Sequence, residues 1–234
     1  MTKQLPVRDI IEWDIPNWSQ LFRYWEPIIE TIPKHAKILA IGERNGGLSL
    51  WLALLGYNVV CTDRVGPFIQ AKLLHQKYNV AYKMTYEELD IVNCNCQQEE
   101  YDVIIVKSVL GGLKADPSDR NTRTFAIQQK AVDNIYSLLK PGGYFLSAEN
   151  LQGSRLMRFF RQIKKKDIGW RYLSLKEIHT LHSFFSIFRI NTFGILPTSF
   201  KSKTLNNVIF IFNALIGRIM PAKSKYIAFS IAKK

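Results

Sequence analysis

Short apolar runs alternate with helix-like stretches along the first 150 residues, and this alternation constrains the fold more than any other feature of the sequence. The apolar runs predict strands at 37–42, 58–63, 101–106 and 143–148. The stretches between them have helical spacing, and Gly56 provides a stop signal after the first one. Two further helices are predicted at 67–78 and at about 122–139. Strands that are apolar on both faces and alternate with helices are typical of a mostly parallel sheet covered on both sides. We therefore predict an α/β, doubly wound, Rossmann-like fold.

Other segments flank this alternating core. A helical preface rich in large apolar residues covers 8–32 and ends at Pro33. Beyond residue 151 the pattern predicts two helices and two strands, at 154–166, 175–183, 185–192 and 226–232. We interpret the chain as an N-terminal helical cap over 1–36 and one larger domain over 37–234.

The positive charge is concentrated in the last third of the chain. Residues 1–150 carry 16 Lys and Arg against 17 Asp and Glu, whereas residues 151–234 carry 16 against two. The net charge of +13 therefore belongs to one region, the basic C-terminal region 151–234. Clustered cations attract phosphates, anionic lipid headgroups or acidic sugars. We expect this region either to recruit such an anion or to be a solvated basic face.

The cysteines and the apolar segments predict a cytoplasmic protein. Three Cys without a C-x-x-C pair fit a reduced compartment and no zinc site. The opening residues mix both charges and lack the apolar core of a leader. The longest dense apolar stretch, Val208–Ile219, is too short and too broken to span a bilayer. Because Lys201, Lys203, Lys223 and Lys225 flank it, we expect it to lie on an anionic membrane, to cover a lipid tail, or to pack under the final strand.

The loop after the first predicted strand combines glycines with a downstream acid. The loop reads Gly42-Glu43-Arg44-Asn45-Gly46-Gly47, and Asp63 ends the second predicted strand. Glycines in this turn let the backbone approach a ligand, and the helix that follows offers free N–H groups. An acid at the end of the second strand can accept hydrogen bonds from both ribose hydroxyls. This edge of the sheet is therefore predicted to hold an adenosine-bearing cofactor.

Five segments in order resemble the motifs of class I S-adenosylmethionine-dependent methyltransferases. They comprise the first strand with its loop, the second strand, a third motif, the fourth strand and an LKPGG turn, at 37–47, 58–63, 89–91, 101–105 and 138–143. The segment Lys107–Gly112, after the fourth strand, resembles the branch of this class that acts on small molecules and saccharides. The resemblance implies S-adenosylmethionine as cofactor, a methyltransferase domain over 37–234, and a seven-stranded sheet whose final strand is antiparallel. The cofactor-binding residues that it implies are Gly42, Glu43, Arg44, Asn45, Gly46, Asp63, Arg64, Asp90, Ile91 and Lys107.

Two positions depart from the pattern of this family. Ala40 stands where the family usually has an acid, and Arg44 stands where it usually has a glycine. We expect Arg44 to meet the methionine carboxylate or an anionic substrate, and Glu43 to meet the methionine ammonium. The alternative is that both side chains face solvent, as loop charges often do.

The acceptor and the catalytic base are predicted from the remaining segments. Methyl transfer mainly needs a positioned nucleophile, and a hydroxyl nucleophile also needs a base. Enzymes of this class that methylate base or glutamine nitrogens resemble one another in an Asn/Asp-Pro-Pro-Tyr/Phe run, which Lys107–Gly112 replaces here. We therefore predict O-methylation of a small, saccharide-like or lipid-linked acceptor. The candidate bases are Glu149, His179 and His182, and no nearby ligand completes a metal site around the histidines.

Other interpretations fit some of the same residues. The basic region could be the phosphate track of an RNA methyltransferase, although no RNA-binding module is recognisable. The altered loop would also suit a cofactor-binding partner subunit without catalysis. A dehydrogenase is disfavoured because the loop lacks the glycine that lets a pyrophosphate approach. We expect the aromatic residues of the preface either to pack in the core or to form a lid over the cofactor. They are Trp13, Trp18, Tyr24 and Trp25.

Overall fold

A computed structural model describes residues 5–66, 68–95, 98–115, 123–163 and 169–234 of the chain. Its strands are β1 Ile38–Ile41, β2 Val59–Asp63, β3 Met84–Glu88, β4 Tyr101–Lys107, β5 Leu139–Asn150, β6 Ile187–Phe193 and β7 Ile227–Lys233. Its α-helices are α1 Val7–Ile11, α2 Ile15–Trp18, α3 Gln20–Ile29, α4 Gly47–Leu54, α5 Ile69–Lys77, α6 Phe125–Leu138, α7 Arg155–Ile163, α8 Leu175–Leu181 and α9 Lys203–Ile216. Short 3₁₀ turns lie at Ala81–Lys83, Leu110–Gly112 and Ala222–Ser224.

The seven strands form one sheet in the order β3-β2-β1-β4-β5-β7-β6. β7 runs antiparallel to both of its neighbours, and the remaining pairs are parallel. The predicted doubly wound, Rossmann-like sheet with an antiparallel final strand is confirmed. The strand order reverses between β1 and β4, and such a switch point opens a crevice at the carboxyl ends of the strands, where ligands bind in open α/β sheets.

Both faces of the sheet are buried because each strand carries apolar side chains in both directions. Ile38 and Ala40 of β1 face a core cluster that includes the preface helices α1 to α3. Leu39 and Ile41 face a second cluster that includes α6 and α8. The preface therefore packs on one face of the sheet, with Trp18 and Trp25 buried in that cluster. The division into a cap over 1–36 and a domain over 37–234 stays a prediction.

Some elements differ from those that the sequence predicts. The helical preface consists of three helices, and Glu12 and Asp14 between α1 and α2 adopt positive φ. β3 carries few apolar residues because it is a partly exposed edge strand, so no apolar run announces it. Three of the predicted helices have one terminus outside the described residues, at Pro67, Thr122 and Lys166. No helix within the described ranges is long and apolar enough to cross a membrane.

Candidate active site

A cavity of about 450 Å³ lies where β1, β2 and β4 end, and we call it the sheet-edge cavity. Its volume is within the range of small-molecule sites. The residues predicted to bind a cofactor all line it, namely Gly42, Glu43, Arg44, Asn45, Gly46, Asp63, Arg64, Asp90, Ile91 and Lys107. The fold therefore brings together residues from four separate segments of the sequence, and their contact with a cofactor stays a prediction.

The loop from Gly42 to Gly47 forms one wall of the sheet-edge cavity and needs its glycines. Gly42 and Gly46 have φ of +73° and +76°, a region that side chains with a Cβ rarely adopt. A Cβ on Gly46 would also lie 2.7 Å from Nε2 of the buried His75, which is 2.9 Å from the Gly46 carbonyl oxygen. The loop is therefore held close against α5, with its backbone towards the cavity.

Glu43 is buried at the start of α4. Its Oε2 accepts hydrogen bonds from the Ser49 backbone N–H (2.9 Å) and the Ser49 hydroxyl (3.0 Å). Burial raises the pKa of the Glu43 carboxyl to about 7. This carboxyl occupies the first turn of α4, where free N–H groups would otherwise face a ligand. Its predicted contact with a methionine ammonium is not tested by this arrangement.

The two aspartates of the cavity are held in turns at the ends of neighbouring strands. Asp63 Oδ1 accepts the Arg64 N–H at 2.7 Å. Asp90 Oδ1 accepts the Val92 N–H at 3.0 Å, and its Oδ2 accepts from the Asn93 side chain at 3.2 Å. Asp90 therefore fixes the turn after β3, which sets the Leu89–Ile91 backbone along the cavity.

Arg44, which replaces a family glycine, is exposed at the rim of the sheet-edge cavity. It also borders a neighbouring hollow of about 410 Å³ beside Val65 and Ile69. The side chain is therefore available to a ligand from either side.

Glu12, Trp13 and Lys107 form a charged and aromatic cluster on the opposite wall. The Lys107 Nζ donates to the Ile11 carbonyl (3.1 Å), lies 3.8 Å from Glu12 Oε1 and stands 3.4 Å from the centre of the Trp13 ring. Asn45 of the glycine loop donates to the Glu12 carboxylate and so joins the two walls. Burial lowers the pKa of Lys107 to about 8. Among the preface aromatics, Trp13 lines the cavity, whereas Trp18 and Trp25 are core residues.

Trp170 lines both the sheet-edge cavity and a second hollow, which we call the arginine hollow. This hollow has a volume of about 370 Å³ and is lined by Gln152, Arg158, Arg161, Gln162, Trp170, Arg171 and Tyr172. The Trp170 ring packs against Gly111 and Gly112, and the Arg171 N–H donates to the Gly111 carbonyl at 2.8 Å. Arg161 donates to the carbonyls of Leu151 and Gln152. The segment around Trp170 is therefore anchored to the turn that follows β4.

The predicted bases lie away from the sheet-edge cavity. Glu149 is buried beneath the turn after β4, where its Oε1 accepts the backbone N–H groups of Val109 and Leu110, each at 2.9 Å. His182 is buried and stacked 4.6 Å from the Phe188 ring, and burial lowers its pKa to about 4. His179 is exposed and meets the edge of the same ring. The structure does not bring these three side chains to the cavity, so their catalytic role stays a prediction.

Comparison with known proteins gives one family. A family model described as a methyltransferase domain matches residues 17–192. No curated protein matches the sequence at a significant level. Because the family match covers more than half of the chain, the chain belongs to this methyltransferase family.

Solved structures with the same fold agree with this assignment. A methyltransferase from Thermotoga maritima, a possible histamine N-methyltransferase, has a TM-score of 0.57 at 16% identity, covering 93% of each chain. One from Methanosarcina mazei has a TM-score of 0.59 at 18% identity, covering 89% of this chain and 97% of that one. Phosphoethanolamine N-methyltransferase 2 from Haemonchus contortus has a TM-score of 0.62 at 14% identity, covering 93% of this chain and 53% of that one. It was solved with phosphomonomethylethanolamine and S-adenosylhomocysteine. The protein is a class I S-adenosylmethionine-dependent methyltransferase, as the sequence motifs predict.

Proposed function

We propose that this methyltransferase binds S-adenosylmethionine in the sheet-edge cavity and methylates a hydroxyl of a small, anionic acceptor that is saccharide-like or lipid-linked. The observation that carries the proposal is that Trp170 lines both this cavity and the arginine hollow, so that the two lie side by side. The cofactor supplies an electrophilic methyl group on a sulfonium. The S–CH3 bond breaks as the O–CH3 bond forms, S-adenosylhomocysteine leaves, and the acceptor hydroxyl gives up its proton. The protein then has to hold the two reactants in line.

The adenosine end of the cofactor fits the wall formed by β2 and the turn after β3. Asp63 carries a carboxylate at the end of β2, where two ribose hydroxyls can donate to it. Leu89 and Ile91 add an apolar surface suited to a base. The glycine loop lets the backbone approach the ligand, because Gly42 and Gly46 carry no Cβ.

The amino-acid end of the cofactor fits the wall formed by Glu12 and Lys107. A zwitterion needs an anionic group near its ammonium and a cationic group near its carboxylate. Glu12 and Lys107 supply this pair within one cavity, with their charged atoms 3.8 Å apart. The exposed Arg44 at the rim offers a second cation to the carboxylate or to an anionic acceptor.

The acceptor end fits the arginine hollow. Arg158 is exposed there, and Arg161 is held in place by hydrogen bonds to backbone carbonyls. The charge of Arg171 is compensated by an ion pair with Glu177. Guanidinium groups bind phosphate and carboxylate in preference to neutral groups. The phosphate-bearing ligand of the Haemonchus enzyme supports an anionic acceptor, although that enzyme is named for N-methylation.

Calorimetric titration tests the cofactor site. Asp63→Ala is expected to weaken S-adenosylmethionine binding by about 1.5–3 kcal/mol, the usual contribution of hydrogen bonds to a charged group. Glu87→Ala, which removes an exposed acid from the adjacent strand β3, is the matched control and should bind as the wild type does. Equal affinity of the wild type for NAD would contradict the proposed site.

Mass spectrometry of an acceptor panel tests the reaction. Sugar phosphates, lipid-linked saccharides, phosphorylated amines and RNA are each incubated with enzyme and cofactor, and methylated products are sought. For an anionic acceptor, Arg158→Ala should raise KM by about tenfold or more, whereas Arg189→Ala on the exposed face of β6 should not. Transfer to RNA would support an RNA methyltransferase instead. Cofactor binding without transfer to any acceptor would support a non-catalytic partner subunit.

A further inference from the structure

Helix α9 buries a polar side chain on its protein-facing side, beside partly buried apolar residues such as Phe210, whose ring centre lies 5.9 Å from that of Phe193. A surface helix normally buries its apolar stripe and exposes its polar face. In α9 the side chain that is fully buried is a polar one, Asn213. Its amide accepts from the N–H groups of Ile195 and Leu196 and donates to the Leu196 carbonyl and to Asn17 Oδ1, at 2.7 to 3.1 Å. The helix is therefore attached to the protein by a satisfied polar contact.

The opposite side of α9 is a continuous apolar surface, which we call the apolar face of α9. Its members follow helical spacing and continue into the turn beyond the helix. They are Leu205, Val208, Ile211, Phe212, Leu215 and Ile219, which are 43, 58, 56, 40, 58 and 79% exposed. Single exposed apolar residues are ordinary, but a stripe of this kind marks a surface that meets another apolar phase.

The charge around this face is of one sign. Lys201 and Lys203 lie at the start of α9, and Arg218 and Lys223 follow its end. The sequence contains no Asp or Glu from residue 178 to residue 234. An apolar stripe flanked only by cations is complementary to a surface that is apolar inside and anionic outside, as an anionic bilayer is.

A lipid surface fits these features better than a second copy of the chain does. Two copies meeting through this face would bring together two sets of the cations that flank α9, and the segment 178–234 supplies no acid to pair them. The 14 residues of α9 span ~21 Å, which is too short to cross a bilayer but sufficient to lie along its interface.

We propose that α9 docks the protein on the surface of an anionic phospholipid bilayer, with its apolar face in the headgroup region. The docked helix is attached to a segment that continues into the cavity wall, because Asn213 donates to Asn17 of α2, four positions after the cavity residue Trp13. This inference concerns a surface outside the cofactor site and can fail without affecting cofactor binding.

Vesicle flotation of the full chain tests the proposal. Vesicles of phosphatidylcholine with phosphatidylglycerol should carry the protein at low salt, and about 0.5 M salt should weaken this binding because it screens surface charge. Replacing two residues of the apolar face, Val208→Glu with Leu215→Glu, should lower the partition coefficient about tenfold or more. The matched control is Ile69→Glu with Leu73→Glu on α5, whose side chains are 56 and 60% exposed, and it should float normally.

A charge series separates the electrostatic part of the binding. Lys201→Gln and Lys203→Gln should each lower binding to the anionic vesicles about fivefold, whereas Lys72→Gln and Lys176→Gln, elsewhere on the surface, should have a smaller effect. Thermal unfolding and calorimetric binding of S-adenosylmethionine show that each variant is folded and that the cofactor site is intact. Absence of flotation, or equal flotation of the apolar-face variant, would overturn the proposal. A wild-type dimer that Val208→Glu with Leu215→Glu converts to a monomer would assign the face to a second copy instead.

Discussion

Two buried carboxyl groups, Glu43 and Glu149, border the ends of strands β1 and β5, and burial raises the pKa of each to about 7. They differ in how they are held. Glu43 Oε2 is bonded to Ser49, whereas Glu149 uses Oε1 alone, and its buried Oε2 has no hydrogen-bond partner among the described residues. An ionised carboxylate with one oxygen unsolvated is costly, so Glu149 favours its protonated form more than an exposed glutamate does.

Glu149→Gln is expected to change the pH dependence of stability. The folded pKa of about 7 lies above the ordinary value of 4.5, so the wild-type carboxyl contributes its full stability below pH 4.5 and loses it as the pH rises through 7. A glutamine does not ionise. The free energy of unfolding of the variant relative to the wild type should therefore rise by on the order of 3 kcal/mol across this window. Denaturant unfolding on either side of the window measures it.

The exposed Glu87→Gln is the control for this comparison, and parallel pH profiles of wild type and Glu149→Gln would contradict the expected effect. The same variant tests the predicted role of Glu149 as a base. Loss of a general base lowers kcat by about 10²–10⁴.

Arg44→Ala tests what the exposed arginine at the rim of the sheet-edge cavity does. If the guanidinium binds the cofactor carboxylate or an anionic acceptor, the variant should raise the KM of that ligand while the melting temperature stays near that of the wild type. Steady-state kinetics with each substrate varied in turn measures this. Unchanged kinetics with a melting temperature lowered as by a core substitution would show a structural role.

Cavity residues that belong to local sequence patterns could be predicted, whereas those that come from distant segments could not. Gly42, Gly46 and Asp63 were predictable because a strand, a glycine turn and an acid at a strand end are local patterns. Glu12 and Trp170 were not predicted as site residues, because only tertiary packing brings residues from the preface and from beyond β5 to this edge. No spacing in the sequence announces such contacts.

At the scale of elements, the packing of α1 on the start of α4 shapes the cavity wall. α4 begins at Gly47, and a Cβ at this position would overlap the Ile10 backbone oxygen of α1. Backbone atoms cannot rotate away as a side chain can, so the two helices approach this closely only with a glycine here. Glu12 and Trp13, which directly follow α1, depend on that approach for their place in the wall.

Gly47→Ala is therefore expected to destabilise the protein by about 1–3 kcal/mol through overpacking, and to weaken cofactor binding by displacing the wall. Thermal or denaturant unfolding with calorimetry measures both effects. Gly66→Ala is the control, because a Cβ there meets only side-chain atoms of Glu88 and Phe68. Alanine ordinarily stabilises a helix by about 1 kcal/mol relative to glycine, so a variant as stable as the wild type would show that α1 can move aside.

The elements that sequence reasoning predicted well are the buried ones. β1, β2 and β4 are continuous apolar runs, so their composition alone reveals them. β3 was not predicted from the sequence, because an edge strand with one covered side needs few apolar residues. In α9 the apolar stretch was visible, but which side faces the protein depends on Asn213, whose partners lie in distant segments.

At the scale of the whole molecule, the two parts of the sequence that differ in charge also supply different surfaces. The near-neutral residues 1–150 supply most of the sheet-edge cavity, and the basic residues 151–234 supply the arginine hollow and α9. The proposed cofactor site and the basic surfaces therefore come from largely different parts of the chain, and they meet at Trp170, which lines both the sheet-edge cavity and the arginine hollow. The charge asymmetry was evident from the sequence, whereas its division between a hollow and a helix required the fold.

The buried network around Asp14 has a consequence for synthesis on the ribosome. Asp14 accepts hydrogen bonds from Thr198 (2.7 Å to its N–H) and from the Tyr226 hydroxyl, which lie 184 and 212 positions later. The glycine loop and Asp63 emerge early, but the wall that includes Glu12 and Trp13 is fastened only when these late residues arrive. A nascent chain is therefore expected to bind its cofactor only near the end of translation, so that S-adenosylmethionine stabilises the finished enzyme and not its folding intermediates.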